Sequence, residues 1–129
     1  MVRFSHTIVF VSDMVRSAKF YRDALGLPLR FESPDWAEFA TGSCNLALRK
    51  GADGAAPPAQ ADLIPPGHCQ VGFTVDDLDG FHARLLALGI RCLQEPKAVE
   101  LGERTAVYAD PDGLPISVVE SVAFAASVR

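Results

Sequence analysis

The alternation of hydrophobic and polar positions divides the chain into two similar series of short elements. Residues 4–11 alternate loosely and are rich in Phe, Ile, Val and Thr, which predicts a β-strand. Apolar residues at helical spacing follow, between possible N-caps at Ser12 and Asp13 and a glycine, Gly26, that suits the end of a helix. Three further strand candidates complete the first series, at residues 29–32, 36–40 and 44–49.

The second series repeats this order 64 positions later, counted from His6 to Gln70. Residues 69–75 predict a strand, Asp76 or Asp77 a helix N-cap, and Gly89 the end of that helix. The apolar positions predict a buried stripe on this helix, formed by Leu78, Phe81, Leu85 and Leu88. The remaining strands are predicted at residues 90–93, 105–109 and 115–120, with a tight turn at residues 110–113.

Two βαβββ modules, residues 4–50 and 68–121, are therefore predicted, joined by a linker over residues 51–67. The linker contains four prolines and is rich in Gly and Ala, so it is predicted to form no regular element. Each module alone is too small to bury a core. The 129 residues are accordingly expected to form a single domain.

Composition excludes several classes of function. A net charge of −4 gives no electrostatic basis for binding nucleic acid or an anionic membrane surface. No long apolar stretch or signal-peptide pattern is present, so a soluble cytoplasmic protein is expected. The three cysteines lack metal-binding spacing and are expected to be reduced and half-buried. His82 stands beside charged residues on the second helix and is expected at the surface.

A family resemblance rests on several motifs in order. His6, residues 11–14 (Val-Ser-Asp-Met) and residues 17–29 (Ser-Ala-Lys-Phe-Tyr-Arg-Asp-Ala-Leu-Gly-Leu-Pro-Leu) resemble the opening of the vicinal oxygen chelate superfamily. That superfamily includes glyoxalase I, extradiol dioxygenases and bleomycin-resistance proteins. Residues 71–79 and 110–116 resemble its later motifs. The resemblance implies an α+β fold in which two βαβββ modules form curled mixed sheets around a cavity, and it implies a homodimer.

The resemblance also implies positions for a metal centre. In the family's enzymes the ligands are His, His or Gln, and Glu. The first-strand positions fall on His6 and Gln70, whereas the glutamate positions fall on Ser117 and Ala47. Neutral side chains leave a buried divalent cation uncompensated, so tight metal binding is not expected. The alternative is a weakly held Fe(II), Mn(II), Ni(II) or Zn(II) at His6 and Gln70, with Glu120 or an exogenous ligand completing the site. Period-2 alternation places Glu120 on the face opposite Ser117.

The resemblance favours a protein that binds a small organic molecule in the inter-module cavity, without a cofactor and without chemistry. Residues that would line this cavity are His6, Trp36, Arg49, Gln70, Val107 and Ser117. The alternatives are a metal-dependent lyase or dioxygenase of the same superfamily, in which His68 could replace Gln70, and an effector module with a filled cleft. Metal content of the purified protein would separate the enzyme from the binding protein.

Overall fold

Each half of the chain forms a four-stranded mixed sheet with a helix on one side. The computed structural model describes residues 4–42, 44–51, 69–99 and 102–121. The first unit contains β1 (His6–Val11), α1 (Met14–Lys19), β2 (Leu29–Glu32), β3 (Trp36–Ala40) and β4 (Asn45–Lys50). The second unit contains β5 (Val71–Val75), α2 (Leu78–Ala87), β6 (Cys92–Ala98), β7 (Arg104–Ala109) and β8 (Pro115–Glu120).

The two sheets share one topology. Strand order is β1-β4-β3-β2 in the first sheet and β5-β8-β7-β6 in the second. In each sheet the first and last strands of the module pair in parallel, and the other pairs are antiparallel. The predicted α+β class with two βαβββ modules is therefore confirmed. The chain divides into two compact units, Met1–Ala55 and Ala56–Arg129, while residues 52–67 of the predicted linker and His68 lie outside the described residues.

Both helices begin after a predicted N-cap residue, and each is followed by the glycine that the pattern predicts. The carboxylates of Asp13 and Asp77 accept hydrogen bonds from the backbone N–H groups of Arg16 and Gly80, at 3.0 and 3.1 Å. α1 continues as a π-helical turn over Phe20–Ala24 before the chain leaves the helix. Gly26 and Gly89 follow the helices with φ of 79° and 76°, a region that favours glycine because it lacks Cβ.

The core of the first unit lies between its sheet and its helical segment. Val9 and Val11 of β1, Phe39 of β3 and Leu48 of β4 are buried on the helix side of the sheet. Tyr21, in the π-helical turn, is fully buried, and its ring lies 6.2 Å from that of Phe39. The helix side of this sheet is therefore a packed aliphatic and aromatic core.

The predicted stripe of α2 and the strand that follows it differ from the structure. Of the predicted buried stripe, Leu78 and Leu85 are fully buried and Phe81 is half-buried. Leu88 is 54% exposed, because α2 ends at Ala87 and Leu88 lies in the turn that follows. A strand was predicted at residues 90–93, whereas β6 begins at Cys92 and runs through Pro96 to Ala98. Register shifts on both sides of Gln94 break the alternation from which strands are predicted.

His82 is half-buried rather than at the surface. Its Nδ1 lies 2.9 Å from the hydroxyl oxygen of Tyr108, and the two rings are tilted against each other. Phe81 packs edge-on against the same tyrosine, with ring centroids 6.0 Å apart. α2 is therefore tied to β7 by an aromatic cluster with one polar contact.

No helix among the described residues is long and apolar enough to span a membrane.

Candidate functional site

The face of each sheet that lies opposite its helix is called its open face here. On β1 the alternation places Val9 and Val11 against the helix and leaves His6, Ile8 and Phe10 on the open face. Because side chains alternate between the two faces of a strand, Ile8 and Phe10 are exposed where Val9 and Val11 are buried. The Nδ1 atom of His6, at one end of the strand, lies 2.7 Å from the hydroxyl oxygen of Ser5.

Strand pairing arranges the first open face into three rows that cross β1, β4 and β3. From one end of the sheet to the other, the rows are His6–Asn45–Ala40, Ile8–Ala47–Glu38 and Phe10–Arg49–Trp36. Phe31 of β2 extends the middle row because it pairs with Glu38. The predicted residues Trp36 and Arg49 are thus direct neighbours, with Phe10 on the other side of Arg49.

The second open face is uncharged at its centre. Ser117 of β8 pairs with Gly72 on one side and with Val107 on the other, so the predicted residues Ser117 and Val107 are neighbours. Gln70 is exposed and directly precedes β5. This face offers a hydroxyl, an amide near one edge and a nearly buried valine.

The two modules place Ala47 and Ser117 at equivalent positions. Ala47 pairs with Ile8, and Ser117 pairs with Gly72, the position 64 residues after Ile8. Among the described residues, no group of three or more His, Cys, Asp or Glu side chains is placed to hold a metal ion. The family resemblance assigns the acid positions of the metal-binding enzymes to Ala47 and Ser117, and neither side chain supplies negative charge to offset a divalent cation.

Glu120 lies on the helix side of its sheet and has a structural contact there. It pairs with Val75, one residue out of phase with the open-face pair of Thr74 and Val119. Its carboxylate accepts a hydrogen bond of 3.1 Å from the backbone N–H of Leu78, in the first turn of α2, and lies 3.8 Å from the Arg104 guanidinium. Glu120 therefore satisfies a helix N–H that has no partner within the helix.

Replacement of Glu120 by alanine is expected to lower the free energy of unfolding by about 1–2 kcal/mol, because a part-buried N–H at the start of α2 loses its acceptor. Urea unfolding of the wild type and the variant measures this loss. Lys50→Ala is the matched control, since Lys50 is exposed and takes the equivalent position opposite Val11 in the first module. It should change stability by no more than about 0.5 kcal/mol. Equal losses in the two variants would contradict the capping role.

Phe10, Ile8 and Phe31 belong to the first open face although they were not predicted as site residues. Phe10 is 63% exposed and Phe31 is 55% exposed, which is unusual for side chains of this size. Alternation from His6 along β1 could have identified Ile8 and Phe10. Phe31 could not be found this way, because the pairing of β2 with β3 shifts between Leu29 and Phe31.

A cleft of about 640 Å³ in the first unit contains none of the predicted site residues. Its walls are residues 12–15, residues 32–34 and Lys50, at the end of β1 away from His6. Asp13 already caps α1, and the remaining charges are one carboxylate and one ammonium group. The cleft carries no set of convergent side chains that would define its chemistry.

The three cysteines are free thiols. Cys44 and Cys92 are half-buried, whereas Cys69 is exposed rather than half-buried as predicted. Burial raises the pKa of the Cys92 thiol, with a smaller contribution from the nearby Glu95 carboxylate. A thiol with a raised pKa forms less of the reactive thiolate.

The family to which the sequence is similar is consistent with the fold described above. The family model described as Glyoxalase/Bleomycin resistance protein/Dioxygenase superfamily matches residues 3–118. This match spans most of the chain and both sheets. The chain therefore belongs to the Glyoxalase/Bleomycin resistance protein/Dioxygenase superfamily.

Individual relatives differ in what their names say. The uncharacterized protein YraH of Bacillus subtilis (strain 168) is 28% identical over 111 residues, covering 81% of this chain and 87% of YraH. TnmS3, an antibiotic binding protein from Streptomyces sp. CB03234, is 25% identical with a TM-score of 0.72 and covers 93% of this chain and 96% of its own. A lactoylglutathione lyase from Agrobacterium tumefaciens shares the fold, at 24% identity, a TM-score of 0.70 and 92% coverage of each chain.

Proposed function

We propose that this protein binds a small organic molecule on the open faces of its sheets and does so without a tightly bound metal. The observation that carries the proposal is the first open face, where exposed aromatic side chains surround a few polar groups. Sites for small molecules commonly combine apolar walls with a small number of polar anchors. The likeness to TnmS3, named as an antibiotic binding protein, supports a binding role.

In this proposal His6, Gln70 and Ser117 are polar anchors, Arg49 is a charged anchor, and Trp36 and Val107 are apolar contacts. The alternative, a metal-dependent lyase or dioxygenase, would use His6 and Gln70 with Glu120 or with an exogenous ligand. Ala47 and Ser117 stand at the family's acid positions, and Glu120 is engaged by Leu78 and Arg104 on the helix side. The homodimer and the cytoplasmic location stay predictions.

A ligand panel tests the binding role through Trp36, the single tryptophan of the chain, which lies on the first open face. Protein treated with a chelator should bind members of a panel of drug-sized aromatic compounds. A ligand at about a hundred times its Kd should stabilise the folded state by about 2.7 kcal/mol and change Trp36 fluorescence. Trp36→Phe is the control for the optical signal and should retain the thermal shift in weakened form.

Two outcomes would contradict the proposal. One is the absence of any thermal shift or fluorescence change across the whole panel. The other is a stoichiometric metal ion in protein purified without chelator that disappears in the His6→Ala variant. The second result would favour the lyase or dioxygenase.

A further inference from the structure

The Phe10–Arg49–Trp36 row combines a cation with two aromatic side chains on neighbouring strands. Paired residues on adjacent strands lie about 5 Å apart and point to the same side of the sheet. Arg49 is therefore flanked on the open face by an exposed phenylalanine, Phe10, and by Trp36. Arg49 itself is exposed.

Within the part of the chain that the structure describes, Arg49 has no anionic partner. Among residues 4–42, 44–51, 69–99 and 102–121, no hydrogen bond or ion pair holds its guanidinium. Glu38, the acid on β3 in the next row, lies 3.9 Å from the guanidinium of Arg30 instead. The net charge of the whole chain is −4, but the Phe10–Arg49–Trp36 row carries one positive charge, that of Arg49.

We infer that the ligand of the first open face is a planar aromatic molecule that carries a carboxylate. Arg49 would receive the carboxylate through its planar fork of N–H donors, a geometry that lysine lacks. Phe10 and Trp36 would contact the ring system, because aromatic side chains favour offset or edge contacts with planar groups. This inference rests on the proposed binding function and specifies its ligand class, since a cationic molecule would be repelled by Arg49.

Three probes with the same ring system and different charge test the inference by isothermal titration calorimetry on the full chain. They are 2-naphthoate, its neutral carboxamide and the cationic 2-naphthylmethylammonium ion. The naphthoate should bind at least about tenfold more tightly than the carboxamide, and the cation should bind most weakly. Arg49→Gln should weaken naphthoate binding by about tenfold to a hundredfold and leave carboxamide binding nearly unchanged.

Arg49→Lys and Arg91→Gln provide the controls. Arg49→Lys retains the charge but loses the fork, so its affinity for naphthoate should lie between those of the wild type and Arg49→Gln. Arg91 is exposed just ahead of β6, in the other unit, and its replacement by glutamine makes the same change in net charge. Arg91→Gln should leave the affinity for naphthoate unchanged.

Other outcomes overturn the inference in distinguishable ways. Equal affinity for the naphthoate and the carboxamide, tighter binding of the cation, or equal effects of Arg49→Gln and Arg91→Gln would reject the anionic ligand while the binding function stands. Failure of all three probes and of the wider panel would reject both. A dimer in sedimentation that Phe10→Ser dissociates, without binding of any probe, would assign this face to a second copy of the chain.

Discussion

Leu85→Ala is expected to lower the free energy of unfolding by about 2–5 kcal/mol, the range observed when a buried leucine is truncated and leaves a cavity. Leu85 is fully buried on α2 against the second sheet. Leu88→Ala is the matched control, because the same atoms are removed from a residue that is 54% exposed. That variant should lose no more than about 0.5 kcal/mol.

Urea unfolding followed by circular dichroism measures both variants under identical conditions. The comparison separates two descriptions of α2, since the hydrophobic pattern alone predicts that Leu85 and Leu88 share one buried stripe. Similar losses in the two variants would mean that Leu88 is covered in solution. A loss confined to Leu85 agrees with a helix that ends at Ala87.

The fold was predictable because local and repeated patterns agree. Asp13 and Asp77 cap helices 64 residues apart, and Gly26 and Gly89 follow those helices with positive φ. Each of these features depends on a few neighbouring residues. The course of β6 was not predictable, because its register shifts place consecutive residues out of phase with the alternation.

The site was predictable only in part, for a reason of topology. Trp36 and Arg49 could be predicted as binding-site residues from their residue types and from their positions on predicted strands. The position of Phe10 beside Arg49 depends on the parallel pairing of β1 with β4, which joins strands separated by most of the first module. The engagement of Glu120 with Leu78 and Arg104 likewise depends on tertiary structure, although its face follows from alternation.

Stability should fall at alkaline pH because of Tyr108. This residue is only 1% exposed, and burial raises the pKa of its phenol to about 12, with a smaller contribution from Cys92. Its pKa in the unfolded chain is about 10. A folded-state pKa above the unfolded value contributes stability that is complete below pH 10 and is lost as the pH rises through about 12. The total loss from this group is roughly 3 kcal/mol, since one pKa unit corresponds to about 1.4 kcal/mol.

Urea unfolding of the wild type and of Tyr108→Phe between pH 8 and pH 12 tests this prediction. At neutral pH the variant should be less stable by about 1 kcal/mol, because the hydrogen bond of 2.9 Å between Tyr108 and His82 is lost. Between pH 10 and pH 12 the difference should shrink and then reverse, because phenylalanine has no proton to lose. Lysine titration affects both proteins and cancels in the comparison. Parallel stability curves over this range would mean that Tyr108 ionises without a penalty and that its burial against Phe81 and His82 is not maintained in solution.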